Sequence, residues 1–406
     1  MESVEGKLNV MLLVNSFLPS IGGREIVVHY LATALQDLGH APRVICSGGW
    51  RKSRHLEFDY PVIRYPAFRG KFPERVRYLQ LVVDTLFHQC DVIHAHATYP
   101  SGLAAVRLKR NKNIPLVVTP HGNDIHTIPE LGHGLRLDPE KDKKIRMAVN
   151  QSELLTAISG SVEASLIEAD APKLKIRAIP NGVDIDRFSR EKSADVLEWL
   201  GVPPSSKLIV TVGRYNPRKG QDVLIRAMPR ILKAQPDSVL VIVGDNTEAL
   251  RPLITDLELT DKVILTGGIS PPVIVGSQDS SNELNNNDRL ADLFLQSEMY
   301  VSAGVAEGAE GLSLAVLEAM ASRLPVVASD ISGNRDIITN RDNGFLVPPG
   351  NHEKLAEAII EMLDSHALQQ SMREKSRKVA EKYQWIEIAK MYIDVYREAI
   401  EISHRR

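Results

Sequence analysis

Residues 208–220 read Leu208-Ile209-Val210-Thr211-Val212-Gly213-Arg214-Tyr215-Asn216-Pro217-Arg218-Lys219-Gly220. A short β-branched run ends in glycine, a cation-bearing turn follows, and a helical pattern opens near Gln221. Near-continuous apolar strands alternating with helices indicate a parallel sheet covered on both faces. The same unit recurs throughout. In the first half the apolar runs are residues 8–14, 43–47, 91–96, 116–119, 154–159 and 176–179; after 208–213 come 239–244, 263–266, 299–302, 326–329 and 344–347. Twelve such runs overfill one sheet, so the pattern predicts an α/β protein of two doubly wound domains.

The length of 406 residues fits two or three domains, and the 43% hydrophobic and 25% charged residues are ordinary for a folded chain. Two cysteines, Cys46 and Cys90, cannot build a disulfide framework or a four-thiolate zinc site. No apolar run reaches the roughly 18 residues of a membrane span, and the acidic start does not read as a secretory signal. The expectation is a cytoplasmic protein.

A net charge of −2 excludes a globally basic nucleic-acid binder. Residues 1–190 nevertheless hold 25 Lys and Arg against 20 Asp and Glu, and the remainder carries the acidic excess. Arg51, Lys52, Arg54, Arg64, Arg69, Lys71, Arg75 and Arg77 concentrate the positive charge. The plain reading of that stretch is a solvated surface. The sharper one is a site for an anionic acceptor, or weak peripheral contact with an anionic membrane at the inner face of the cell membrane.

Helix 25–38 is predicted with Ile26, Tyr30, Ala34 and Leu38 on one buried stripe, closed by Gly39. The join between domains is expected near residues 184–206, giving domains 1–186 and 187–383, with a final helix 384–406. Residues 268–287, with Pro271-Pro272 and Asn285-Asn286-Asn287, read as a mobile loop.

Neither a P-loop, a G-x-G-x-x-G after a strand, nor an H-E-x-x-H occurs. Four constellations remain. Gly22-Gly23 opens a helix and lets backbone N–H groups approach a phosphate. Arg214 and Lys219 follow a strand and can converge on a diphosphate, where Arg is a planar fork and Lys a point charge. Glu310-Gly311-Leu312-Ser313 leads into a helix carrying Glu318; eight residues apart, the two carboxylates serve different parts of an extended ligand. Glu318 lies in an otherwise apolar helix, where a carboxylate is costly without partners.

The fourth is histidine-rich. His94 and His96 share one side of a strand, and His121-Gly122-Asn123-Asp124 follows another, with His126 and His133 nearby. One reading is a metal-dependent hydrolase using His94 and His96, which requires a single barrel. Asp184-Ile185-Asp186 reads as a metal-binding pair or as a cap at the domain junction.

In order and spacing the set resembles the retaining glycosyltransferase family 4, glycosyl transferases group 1. The likeness rests on Gly22-Gly23, Pro120-His121-Gly122, Pro180-Asn181-Gly182-Val183-Asp184, Gly213-Arg214 through Lys219-Gly220, Glu310-x7-Glu318, Pro325-Val326-Val327-Ala328 and Asn343-Gly344-Phe345-Leu346-Val347-Pro348. It implies a GT-B fold, two Rossmann-like domains facing across a deep cleft, the last helix crossing back onto the first domain. It implies donor diphosphate binding by Arg214 and Lys219 with Gly22 and Gly23, and ribose binding by Glu318. Glu310, Gly311, Leu312 and Ser313 would orient the donor sugar. His121 would sit at the reacting face, with Asp124 and Asn181 on the cleft and acceptor side.

The activity implied is retaining, metal-independent transfer of a hexose or N-acetylhexosamine from a UDP- or GDP-sugar to a hydroxyl acceptor, without a resident cofactor. A nucleotide-sugar epimerase or hydrolase of the same fold is the alternative. Three departures leave the donor base and sugar open: Leu312-Ser313 in place of the usual Phe-Gly, Asp336 in place of Glu, and a longer loop at 268–287.

Overall fold

A computed structural model describes residues 6–49, 53, 56–67, 73–190, 195–270 and 288–405. Five of the eight basic residues singled out above (Arg51, Lys52, Arg54, Arg69 and Lys71) and most of the 268–287 loop lie outside them. The chain divides into two units, Met1–Asn181 with Trp385–Arg406, and Gly182–Gln384.

The first unit carries β1 (Asn9–Leu13), β2 (Ala41–Ser47), β3 (Val62–Tyr65), β4 (Val92–Ala95), β5 (Leu116–Val118), β6 (Leu154–Ala157) and β7 (Ile176–Ala178). They form one sheet in the order β3-β2-β1-β4-β5-β6-β7, every neighbouring pair parallel. The second carries β8 (Lys207–Val212), β9 (Ser238–Val243), β10 (Val263–Gly267), β11 (Met299–Ser302), β12 (Val326–Ser329) and β13 (Phe345–Val347), ordered β10-β9-β8-β11-β12-β13, again all parallel. All twelve expected runs are strands. β3 was not expected; it is a half-buried edge strand of four residues between Pro61 and Pro66, too short and polar to stand out.

Helix Gly23–Asp37 replaces the expected 25–38, and its buried stripe is rotated from the one predicted. Val27, Val28, Leu31, Ala32 and Leu35 are buried with Ala34, whereas Ile26, Tyr30 and Leu38 are half-buried. The rotation arises because this helix packs on a second partner besides the sheet: Tyr30 stacks on Trp385 of the terminal helix Trp385–His404, centroids 5.6 Å apart. Arg177 of β7 and Glu398 form an ion pair that ties the same helix to the first unit.

The unit boundary falls at residues 181/182, five residues before the expected 186/187. The Val183 N–H donates to the Tyr383 carbonyl at 2.7 Å, and Val183, Ile185 and Phe188 are buried in the core of the second unit. The backbone has therefore already been recruited by that unit when it reaches Asp184. In each sheet strand order reverses once, between β1 and β4 and between β8 and β11, and ligands of such sheets bind outside the carboxyl ends at that switch point.

Candidate active site

In the second unit the chain leaves β8 at Gly213 and turns through residues 214–220. Asn216 caps the turn by accepting from the Arg218 N–H, and Gln221 Nε2 donates back to the Gly213 carbonyl at 2.7 Å. Gly220 has φ +66°, and a Cβ there would lie 1.9 Å from the Ala303 carbonyl, so only glycine lets this turn rest against the exit of β11. The result delivers Lys219 Nζ to Glu310 Oε1 in a largely buried ion pair at the switch point. Arg214 does not join them; it lies 3.6 Å from Asp245 and is exposed.

The Glu310 loop is held from behind. Gly333 abuts the Gly311 carbonyl, which a Cβ would approach to 1.8 Å. Tyr300 of β11 is fully buried beneath it and hydrogen bonded with Ser313; burial, then the carboxylates of Glu310 and Glu318, push its phenol upward. Lys219, Glu310 and Tyr300 line one small cavity with Gln221 and Ser302.

Glu318 belongs to a different network. Arg187 grips Asp288 with a fork, Nε at 2.5 Å and Nη2 at 3.0 Å, and reaches Glu318 with Nη1 at 3.5 Å. Glu318 titrates above the usual carboxylate range because burial outweighs Arg187, and Asp288 and Asp184 add to the rise. Asp288 titrates below that range: burial opposes ionisation, but the Arg187 fork wins. Asp184 accepts from the Arg187 N–H at 3.0 Å, a turn cap.

The first unit gathers three imidazoles. His94 and His96 are 0% exposed, with centroids 4.0 Å apart, and His96 stacks on His121 at 5.4 Å. His94 bonds Tyr396 Oη at 2.7 Å and Thr119 Oγ1 at 2.6 Å, and His96 Nδ1 meets His121 Nε2 at 3.1 Å. Burial pulls His94 and His96 well below an ordinary histidine; His121 is pulled to about 3, by burial and then by Arg24. All three are neutral near pH 7.

The hydrolase reading of this cluster fails on two counts. The sheets are open and parallel, with no barrel formed by the described residues, and both ring nitrogens of His94 are spent on hydroxyls. Among the described residues no three His, Cys, Asp or Glu side chains are placed to share a metal ion. His126 instead bonds Ser165 Oγ at 2.9 Å, and His133 lies in a bridge to Ile128.

Asp124 is buried and holds the histidine loop: one carboxylate oxygen accepts from the His121 N–H at 3.0 Å, the other from the Thr98 N–H at 2.8 Å. Gly22 and Gly23 open helix Gly23–Asp37, but Glu25 folds back over Gly22, where its Oε2 would lie 2.5 Å from a Cβ. Glu25 accepts from Ser16 Oγ at 2.6 Å and from Arg24 at 3.1 Å. Asn181 is buried at the end of the first unit.

Two family models match the chain: Glycosyltransferase Family 4 over residues 21–187 and Glycosyl transferases group 1 over residues 198–379. An uncharacterized glycosyltransferase of Methanocaldococcus jannaschii is 30% identical over 331 residues, covering 78% of this chain and 77% of that protein. The chain belongs to glycosyltransferase family 4. It is a GT-B glycosyltransferase, an enzyme that moves a sugar from a nucleotide sugar to an acceptor. A GDP-mannose-dependent α-(1-6)-phosphatidylinositol monomannoside mannosyltransferase of Mycobacterium tuberculosis is 26% identical, over 96% of this chain and 98% of that one. The structure of Anabaena HepE in complex with UDP-glucose matches in fold with a TM-score of 0.75, at 21% identity, covering 95% of this chain and 98% of that one.

Sequence reasoning singled out Glu310, Lys219 and Glu318 but missed Tyr300, Arg187, Asp288 and Arg24. Tyr300 sits inside an apolar strand and carries no local signal. The Arg187–Asp288 fork joins residues 101 positions apart, which no spacing rule reaches.

Proposed function

We propose that this family 4 enzyme is a retaining, metal-independent hexosyltransferase that takes a hexose or N-acetylhexosamine from a UDP- or GDP-sugar to a hydroxyl acceptor. The observation that carries this reading is the Lys219–Glu310 pair at the β8/β11 switch point. A cation held by a carboxylate there binds the diphosphate, while the carboxylate accepts from donor-sugar hydroxyls. Arg214, on the same loop, supplies a second cation, and Glu318 accepts from the ribose.

The chemistry follows from charge. The bond from the anomeric carbon to the diphosphate oxygen breaks, and the electron pair leaves with the diphosphate. The acceptor oxygen bonds to the same face of the anomeric carbon, and its proton passes to a phosphate oxygen. Lys219 and Arg214 stabilise the departing dianion in place of a metal ion. Glu310, already committed to Lys219, binds and orients rather than attacks. His121 presents a neutral imidazole to the substrate, and Gly22 and Gly23 offer backbone N–H groups.

The mannosyltransferase named above uses GDP-mannose and a phosphatidylinositol monomannoside, which supports both a guanine donor and a membrane-borne acceptor. No helix among the described residues is long and apolar enough to cross a membrane. Helix Pro73–Phe87 instead exposes Leu79, Val83, Leu86 and Phe87, at 61, 46, 65 and 77%, on one face beside Arg75. It packs on helix Leu103–Lys112, whose last turn carries Lys109, Arg110 and Lys112. Apolar and basic groups side by side fit peripheral contact with an anionic bilayer.

The test is a panel of nucleotide sugars with candidate acceptors, with and without EDTA, reading released nucleotide and the anomeric configuration of the product. UDP or GDP release that survives EDTA, with configuration retained, is expected; loss in EDTA or an inverted product refutes the corresponding part. Flotation with anionic liposomes at low salt tests the membrane contact, and absence of binding removes it.

A further inference from the structure

Among the described residues Arg77 is a buried cation without an anionic partner. It lies in the second turn of helix Pro73–Phe87, 4% exposed. Its Nη2 donates to the Val14 carbonyl at 2.8 Å and to the Asn15 carbonyl at 3.4 Å, and its Nη1 is buried with no hydrogen-bond partner among the described residues. The other arginines as deeply buried among the described residues are matched by carboxylates: Arg43 by Asp84 at 2.9 Å, Arg377 by Glu381 at 3.0 Å. Burial draws the Arg77 guanidinium down to about 10, so it remains charged near pH 7. An uncompensated buried charge is costly, and a fold that keeps one has a use for it.

Arg77 lines a cavity of about 260 Å³ on the β3 side of the first sheet, at the carboxyl ends of its strands. Asn15, Ser47 and Gln80 add polar groups, Pro66 and Pro100 shape the walls, and among the described residues none that lines it is acidic. The volume admits a small headgroup, several times the roughly 30 Å³ share of one water molecule. We propose that this cavity is the acceptor subsite and that it takes a carboxylate or phosphate ester on Arg77, so that the acceptor is a small anionic polyol or hydroxy acid, free or as a lipid headgroup.

The proposal rests on the transferase reading, and binding tests it apart from turnover. Inorganic phosphate is titrated calorimetrically into the full chain and its Arg77→Gln, Gln80→Glu and Lys219→Ala variants. Phosphate binds the wild type and Lys219→Ala, and about ten-fold more weakly the other two, Gln80→Glu placing a like charge in the cavity without emptying the Arg77 site. Gln80→Glu keeps the wild-type melting temperature, so its loss is not unfolding. No binding to wild type, or equal binding to Gln80→Glu, overturns the subsite even if nucleotide release confirms the transferase. Glycerol phosphate and phosphatidylglycerol vesicles then separate the sources: competition by the free ester assigns a soluble acceptor, and by vesicles alone a headgroup. Competition by neither overturns the proposal.

Discussion

Lowering the pH from 7.5 to about 5 should destabilise the first unit. In the folded state His94 and His96 stay neutral far below an ordinary histidine, and His121 stays neutral down to about 3. In the unfolded chain each titrates near 6.5. Above that value neither state takes a proton and the histidines contribute no pH dependence. Below it the unfolded state binds protons that the folded state refuses, so stability falls as pH falls. At pH 5 the difference is about 2 kcal/mol for His121, and His94 and His96 act in the same direction. His29, drawn to about 4 by burial against Tyr60, adds a fourth in the same window. Asp142, held below its usual range, loses its contribution only below about pH 4 and does not confound the measurement. Urea unfolding followed by fluorescence of Trp385, which is buried in this unit, gives the stability at each pH, and histidine C2–H resonances give the titrations. A urea midpoint unchanged between pH 7.5 and 5 refutes the reasoning. So do column resonances that titrate near 6.5 in the folded protein.

Three further outcomes follow from the second unit. Lys219→Ala and Glu310→Ala each lower kcat/KM by about 100-fold or more with the circular dichroism unchanged, and the double variant is no worse than the poorer single one, because the two act as a pair; losses that add refute the pairing. Nucleotide affinity falls as pH falls in wild type more than in Glu318→Gln, since hydrogen bonds from ribose hydroxyls would favour the ionised form of a carboxyl that burial holds high; calorimetry across pH reads this, and the same pH dependence in Glu318→Gln sinks it. Gly333→Ala pushes a methyl group against the Gly311 carbonyl, displacing the Glu310 loop and cutting kcat/KM about ten-fold or more while β12 and β13 stay paired; unchanged kinetics would show that the loop yields freely.

Much of the fold was legible because parallel sheets buried on both faces write continuous apolar runs, and all twelve such runs are strands. What escaped has local physical causes. β3 is an edge strand, half-buried and flanked by prolines, so apolar continuity was never required of it. The stripe on helix Gly23–Asp37 was misjudged because a helix gripped by both a sheet and the terminal helix Trp385–His404 buries a wider arc than one periodic row shows. In the site, the carboxylates were visible from their placement, and the cost of burying Glu318 pointed to a partner. The partner itself, Arg187, lies 131 residues earlier and is set by tertiary packing alone. The histidine pair illustrates the opposite error: residue type suggested a metal, while the hydroxyls that satisfy His94 come from Thr119 and Tyr396, the latter on the last helix.

The two units treat charge in opposite ways. Breaking a sugar–diphosphate bond leaves positive charge on the sugar carbon and negative charge on the departing phosphates. On the reading proposed above the loop after β8 meets those phosphates, and it carries Lys219, paired with Glu310, and the exposed Arg214, 3.6 Å from Asp245. At its own switch point the first unit buries imidazoles, and burial with Arg24 close by keeps His121 uncharged near pH 7. The column holds three imidazoles that stay neutral near pH 7 in the fold. Its cost is the acid lability described above, which makes the pH dependence of folding a direct reading of how the site is built.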